Sequence, residues 1–108
     1  MIPTPTFLLI EKHSAQDCPR NNERTGEIAM EMADKLEELT EKHGVKLVGH
    51  WSVRFEHLTL RVYEAPSFET FQEFTMEPVI MKWMKYTTAE VKIAMNFDET
   101  MQLIQQAK

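Results

Sequence analysis

Two stretches decide the fold: Val45-Lys46-Leu47-Val48-Gly49-His50-Trp51-Ser52-Val53 and His57-Leu58-Thr59-Leu60-Arg61-Val62-Tyr63-Glu64, joined by Arg54-Phe55-Glu56. Both are rich in β-branched and aromatic residues and both alternate in polarity, so they predict a β-hairpin with its bend at the joining residues. With Arg54 and Phe55 as the loop, Trp51 sits opposite Leu58, Gly49 opposite Leu60 and Leu47 opposite Val62. These are apolar or small and are expected to face a helical layer. The same register sets Ser52 against His57, His50 against Thr59 and Val48 against Arg61, with Tyr63 further along, on an open, polar face. A four-residue loop, Val53 to Glu56, preserves this pairing, whereas an odd loop or a bulge would swap the faces of one strand.

Upstream of the hairpin, Thr6 to His13 contains the apolar run Phe7-Leu8-Leu9-Ile10 and reads as a first strand, leaving through Ser14 and Asp17-Cys18-Pro19. From Asn22 to His43, Ile28, Ala29, Met32, Leu36 and Leu39 recur at helical spacing with acidic residues between them. Asn21, Asn22 and Glu23 suit the start of that helix, and Lys42-His43-Gly44 suits its end. Downstream, Ala65-Pro66-Ser67 stops the strand and Ser67 caps a helix carrying Phe68, Phe71 and Phe74. Pro78 opens a further turn or two of helix, with Val79, Ile80, Met81, Trp83 and Met84 too apolar all round to stand in solvent; the methionines Met76, Met81 and Met84 are expected to pack in the core beside Trp83. Thr88 to Phe97 alternates as a last strand, and Asp98 is expected to cap a short final helix containing Met101 and Ile104.

The order β-α-β-β-α-β with a helical tail folds, through right-handed crossovers, into a four-stranded antiparallel sheet with both main helices on one face. This is an α+β, ferredoxin-like arrangement. A chain of 108 residues suits one domain, 1–108. Its net charge of −5 and its lack of a dense Lys/Arg run argue against nucleic acid and anionic membrane as partners. The opening Met1-Ile2-Pro3-Thr4-Pro5 lacks a leader pattern, and a lone Cys18 forms no internal disulfide, so a reducing cytoplasm is the expected home.

On the expected open face, His50 and His57 are diagonal cross-strand neighbours, roughly 7–8 Å apart at the backbone. They are the candidate catalytic pair, able to act as general bases near neutral pH. Arg61 is the candidate anchor for an anionic group, and Tyr63, Ser52 and Thr59 complete the ligand-binding set. His13 and Cys18 are further candidates, because a loop returning on itself can bring an imidazole and a thiol together; with His50 and His57 they make up an alternative metal-binding set. No Gly-rich phosphate loop, nucleophile elbow or paired-Cys cluster occurs, so nucleotide-dependent and serine-hydrolase readings drop away, and the cofactor is unknown from sequence.

Several segments, Leu9-Ile10-Glu11-Lys12-His13 into Asp17-Cys18-Pro19, Gly44-Val45-Lys46 to Gly49-His50-Trp51, and Ala65-Pro66-Ser67 before Met76-Glu77-Pro78, carry a family resemblance. On them the chain resembles the dimeric α/β-barrel superfamily, and more narrowly a short prokaryotic family of unknown function. The resemblance implies a homodimer in which open sheet faces approach each other and enclose a pocket for a small molecule. It carries no catalytic residues over, because fold analogy does not confer function. Two alternatives stand beside a small-molecule pocket: an assembly module whose open face is simply an interface, and a His-based metal-binding protein.

Overall fold

The computed structural model describes residues 4–107; Met1, Ile2 and Pro3, on which the absence of a leader pattern partly rests, lie outside the described residues. The elements are β1 (Thr6–Lys12), α1 (Glu23–His43), β2 (Lys46–Val53), β3 (Leu58–Glu64), α2 (Phe68–Thr75), α3 (Pro78–Met84), β4 (Thr88–Ala94) and α4 (Phe97–Gln106). A single-turn 3-10 helix, Arg54–Glu56, joins β2 to β3. The four strands form one antiparallel sheet in the order β2-β3-β1-β4, as the β-α-β-β-α-β order requires.

Helix α1 begins where Asn22 accepts a hydrogen bond from the Thr25 backbone N–H and ends where Gly44 takes a left-handed conformation (φ 65°). Only a residue without a Cβ turns the chain there without strain. Its buried positions Ile28, Met32 and Leu39 lie on one stripe facing the sheet. Its outer face carries a Glu31–Lys35 pair at 3.2 Å, and Lys82 of α3 reaches the same Glu31 at 3.1 Å. Ser67 caps α2 through Thr70, as the sequence predicts. Helix α4 is capped by Asn96 rather than Asp98, which sits in its first turn where a carboxylate complements the helix dipole.

Between helices and sheet lies an aromatic core. Phe7 stacks on Phe71 with ring centroids 4.5 Å apart, and Tyr63 meets Phe71 and Phe74 at 5.5 and 5.3 Å. Such contacts add about 0.5–1.5 kcal/mol each beyond the burial of their area. Val79, Ile80 and Trp83 of α3 are buried in the same layer, but Met76 and Met81 point outward and of that methionine group only Met84 packs against the core. An α3 of two turns can turn only part of its surface inward.

The faces of the hairpin are reversed relative to expectation. Its register is displaced by two residues, so that Trp51 pairs with Leu60 and His50 with Arg61, and a bulge at Val48 puts Leu47 opposite Tyr63. Thr59, Arg61 and Tyr63 are buried beneath the helices, in line with Phe7, Leu9 and Glu11 of β1. The reason lies in β1. Glu11 supplies a countercharge to Arg61 at 3.4 Å inside the layer, although neither Glu11 oxygen has a hydrogen-bond partner among the described residues, and Phe7, opposite Tyr63 in the sheet, stacks on the Phe71 ring that Tyr63 also meets. Leu8, Ile10, Leu58, Leu60, Val62 and Trp51 occupy the open face instead. The body measures 55 × 31 × 17 Å, and 17 Å accommodates one helical layer on a sheet; covering the other face would need roughly 10 Å more. Helix α4 buries none of its residues.

Candidate functional site

Where β1 ends, the chain is bent into successive turns that bring it back on itself. The Asp17 N–H donates to the Ser14 carbonyl and hydroxyl, and the Asn21 N–H donates to the Cys18 carbonyl at 3.0 Å. Asn22 works twice, capping α1 and donating from its side chain to the Gln16 carbonyl at 2.9 Å. Gly26 lets α1 approach closely, since a Cβ there would meet the Pro19 carbonyl at 3.0 Å. The loop is thereby clamped to the helix start, with Cys18 buried beneath it.

The β2–β3 connection supplies the opposite wall. His57 is the one described non-glycine residue with positive φ, at φ 50° and ψ 45°. Its carbonyl accepts from the His13 N–H at 3.1 Å, which continues the β1–β3 ladder one step past Lys12. The two imidazoles lie 5.3 Å apart, edge to face, and His13 also meets the Trp83 ring at 6.3 Å. A ligand atom from each of His13, Cys18 and His57 lies within 4.8 Å of the other two. Both ring nitrogens of His13 are buried with no hydrogen-bond partner among the described residues. Burial, reinforced by the neighbouring His57 and opposed by Asp17, holds the His13 pKa below the usual histidine value.

These three residues line a cavity of about 430 Å³ together with Pro19, Arg20, Ser52, Val53, Arg54, Leu58, Thr59 and Trp83. The volume lies within the roughly 300–1,000 Å³ of small-molecule sites. The structure therefore divides the sequence candidates. His13, Cys18, His57, Ser52 and Thr59 come together around the cavity. Arg61 and Tyr63 do not: they lie under the helices rather than on an open face, and burial raises the Tyr63 pKa despite the Arg61 charge beside it. His50 lies on edge strand β2, where it accepts from Arg61 Nε at 3.4 Å; partial burial and that guanidinium both lower its pKa. The expected pairing of His50 with His57 in one site is thus replaced by His13 with His57, because the open face is the apolar one. No local sequence pattern marks Trp83 or Arg54 as site residues; the hairpin bend and the α3 turn meet only in three dimensions.

The overall architecture has counterparts among solved structures. A de novo designed protein, Ferredog-Diesel, superposes with a TM-score of 0.54 at 13% identity over 88% of each chain. A protein of unknown function from Rhodopseudomonas palustris does so with a TM-score of 0.52 at 16% identity, covering 86% of this chain and 84% of that one. The fold is ferredoxin-like. No family model and no curated protein matches the chain, so the narrower family resemblance stays a resemblance. Among the described residues, no helix of this ferredoxin-like domain is long and apolar enough to cross a membrane.

Proposed function

We propose that this protein binds a small organic anion, of the monocarboxylate class, in the cavity at the hairpin end of the sheet. One observation carries the reading. In a chain of net charge −5, the charged residues bordering this cavity are Arg20 and Arg54, with no Asp or Glu in its lining. Neither guanidinium has an ion-pair partner among the described residues. Arg suits a carboxylate because its planar fork donates two parallel hydrogen bonds. A concave site lined by one sign of charge also focuses field and draws a ligand of opposite sign. Pro19, Val53, Leu58 and Trp83 offer apolar lining for the body of the ligand, and Ser52 and Thr59 line the same cavity.

Calorimetric titration with benzoate and its neutral isostere benzamide tests this. The expected result is that benzoate binds and benzamide binds at least tenfold more weakly, and that replacing Arg20 and Arg54 together by Gln removes the difference. Equal binding of the two probes, or no effect of the double substitution, overturns it.

We further infer that the working unit is a homodimer whose open sheet faces meet. The apolar character of that face supports it: the half-buried Leu8, Ile10, Leu60 and Val62 lie side by side there with a 55% exposed Trp51. A cytoplasmic setting fits the buried, unpaired Cys18.

A further inference from the structure

We propose that His13, Cys18 and His57 form a binding site for a divalent transition metal ion of the zinc class, with a fourth coordination position open to the cavity. Three independent features point to it. The first is the convergence of two imidazoles and a thiol from separate parts of the chain, with ligand atoms within 4.8 Å of one another. A tetrahedral ion with Zn–N of about 2.0–2.1 Å and Zn–S of about 2.3 Å holds its donors roughly 3.3–3.7 Å apart. Small side-chain rotations close that gap.

The second is the pair of orphaned nitrogens on His13. A histidine kept for packing ordinarily satisfies at least one ring nitrogen, because a buried polar atom without a partner is costly. No protein group within reach of His13 does so among the described residues, while its ring stands edge to face with His57 and Trp83. A metal ion is a partner for such a nitrogen, with the opposite one left to water or to a bound ligand.

The third is the backbone of His57. Left-handed conformations are uncommon outside glycine and cost about 1–2 kcal/mol for an ordinary L-residue, with asparagine, aspartate and histidine the side chains that enter them most readily. Glycine or asparagine would fit that corner with less strain, yet an imidazole stands there, aimed at His13 and Cys18. Strained positions of this kind cluster at functional sites.

The donor set selects the metal. Two imidazoles and one thiolate are borderline-soft and suit Zn²⁺ or Co²⁺ far better than Mg²⁺ or Ca²⁺, which take oxygen ligands. Three protein donors with a vacant fourth position is the pattern of zinc sites that handle a ligand rather than merely brace a fold. Binding is balanced by one proton: the Cys18 S–H bond breaks, the sulfur–metal bond forms, and the proton passes to solvent. Arg20 and Arg54 line the same cavity, so an organic anion held by them would be able to offer one oxygen to the fourth position. That last feature deepens the anion-binding reading and rests on it; the metal site itself does not.

The test is titration of chelator-treated protein with Co²⁺, read by visible d–d absorption and by the thiolate-to-cobalt charge-transfer band, with Zn²⁺ as competitor. One Co²⁺ per chain is expected. Cys18→Ser should abolish the charge-transfer band, and His57→Asn, which tolerates the left-handed backbone, should weaken binding at least about a hundredfold, the upper end of what losing even an outer partner costs. His50→Ala is the control and should bind as the parent does; far-ultraviolet circular dichroism establishes that each variant is folded. Failure of the parent to bind Co²⁺, or unchanged binding and spectra in Cys18→Ser and His57→Asn, overturns the site. Benzoate calorimetry on the metal-free protein separates the two readings. Arginine-dependent benzoate binding without cobalt binding refutes the metal site alone, whereas stoichiometric cobalt without benzoate binding sustains it and refutes the anion.

Discussion

His13 and His57 are joined through the backbone: the amide of the first donates to the carbonyl of the second at 3.1 Å, one step beyond the end of the β1–β3 ladder. The two imidazoles are thus fixed by the sheet, while Cys18 is carried in by a loop. Replacing His57 by Gly separates the backbone's role from the side chain's. Glycine removes the left-handed strain but adds chain entropy to the unfolded state, so metal-free stability should change by less than about 1 kcal/mol. Zn²⁺ at a hundred times its dissociation constant should stabilise the parent by about 2.7 kcal/mol and His57→Gly by no more than about 0.4 kcal/mol. Urea midpoints with and without Zn²⁺ measure both quantities.

Glu11 and Arg61 form a buried pair, 1% and 3% exposed, with the guanidinium also directed at Met32 Sδ. Burial pushes the Glu11 carboxyl pKa up, and the charge of Arg61 works against that shift. Arg61→Met leaves the carboxylate without its cation and should cost about 3–5 kcal/mol. The double change Glu11→Leu with Arg61→Met should cost clearly less than the single one, because no isolated charge remains. A denaturant double-mutant cycle reads the difference, and additive costs would show that the two side chains do not interact.

The open sheet face offers a direct test of assembly. Leu60 stands at its centre, paired with Ile10 on one side and Trp51 on the other. Leu60→Glu places a charge there without entering the aromatic core, so the fold should persist while a homodimer dissociates. Sedimentation velocity should show a dimer for the parent and a monomer for the variant, with matching circular dichroism. A monomeric parent would remove the basis for assembly through this face.

Acid stability should depend on Glu77, which clips the end of α1 to the start of α3. Its carboxylate lies 2.8 Å from Lys42 Nζ and 2.7 Å from His43 Nε2, and these partners, Lys42 foremost, hold its pKa below the usual glutamate value. A depressed folded-state pKa means the contribution is complete above the ordinary glutamate pKa of about 4.3 and is lost as pH falls through the lower folded value. Glu77→Gln should therefore show a smaller drop in urea midpoint between pH 5 and pH 3 than the parent. An identical drop would assign acid sensitivity to other carboxylates.

Local chemistry by itself determined the elements and their order. The 3.6-residue stripe of Ile28, Met32 and Leu39, the Asn22 and Gly44 caps, the Ser67 stop and the alternation of β2 and β3 are set by neighbours a few residues away, so they could be read without knowing the fold. Which residues of the hairpin share a face was legible from Gly49 to Val53 for the same reason. Which of those faces turned inward was not. That choice depended on Glu11, far away in the chain, meeting Arg61, and on Phe7 meeting the Tyr63 cluster, interactions that exist only once β1 lies beside β3. The site follows the same division. The sequence supplied two imidazoles and a thiol with no signature spacing; tertiary structure decided that His13, rather than His50, joins His57 and Cys18, because the ladder runs one residue past β1 and the Asn22-braced loop folds back beneath α1.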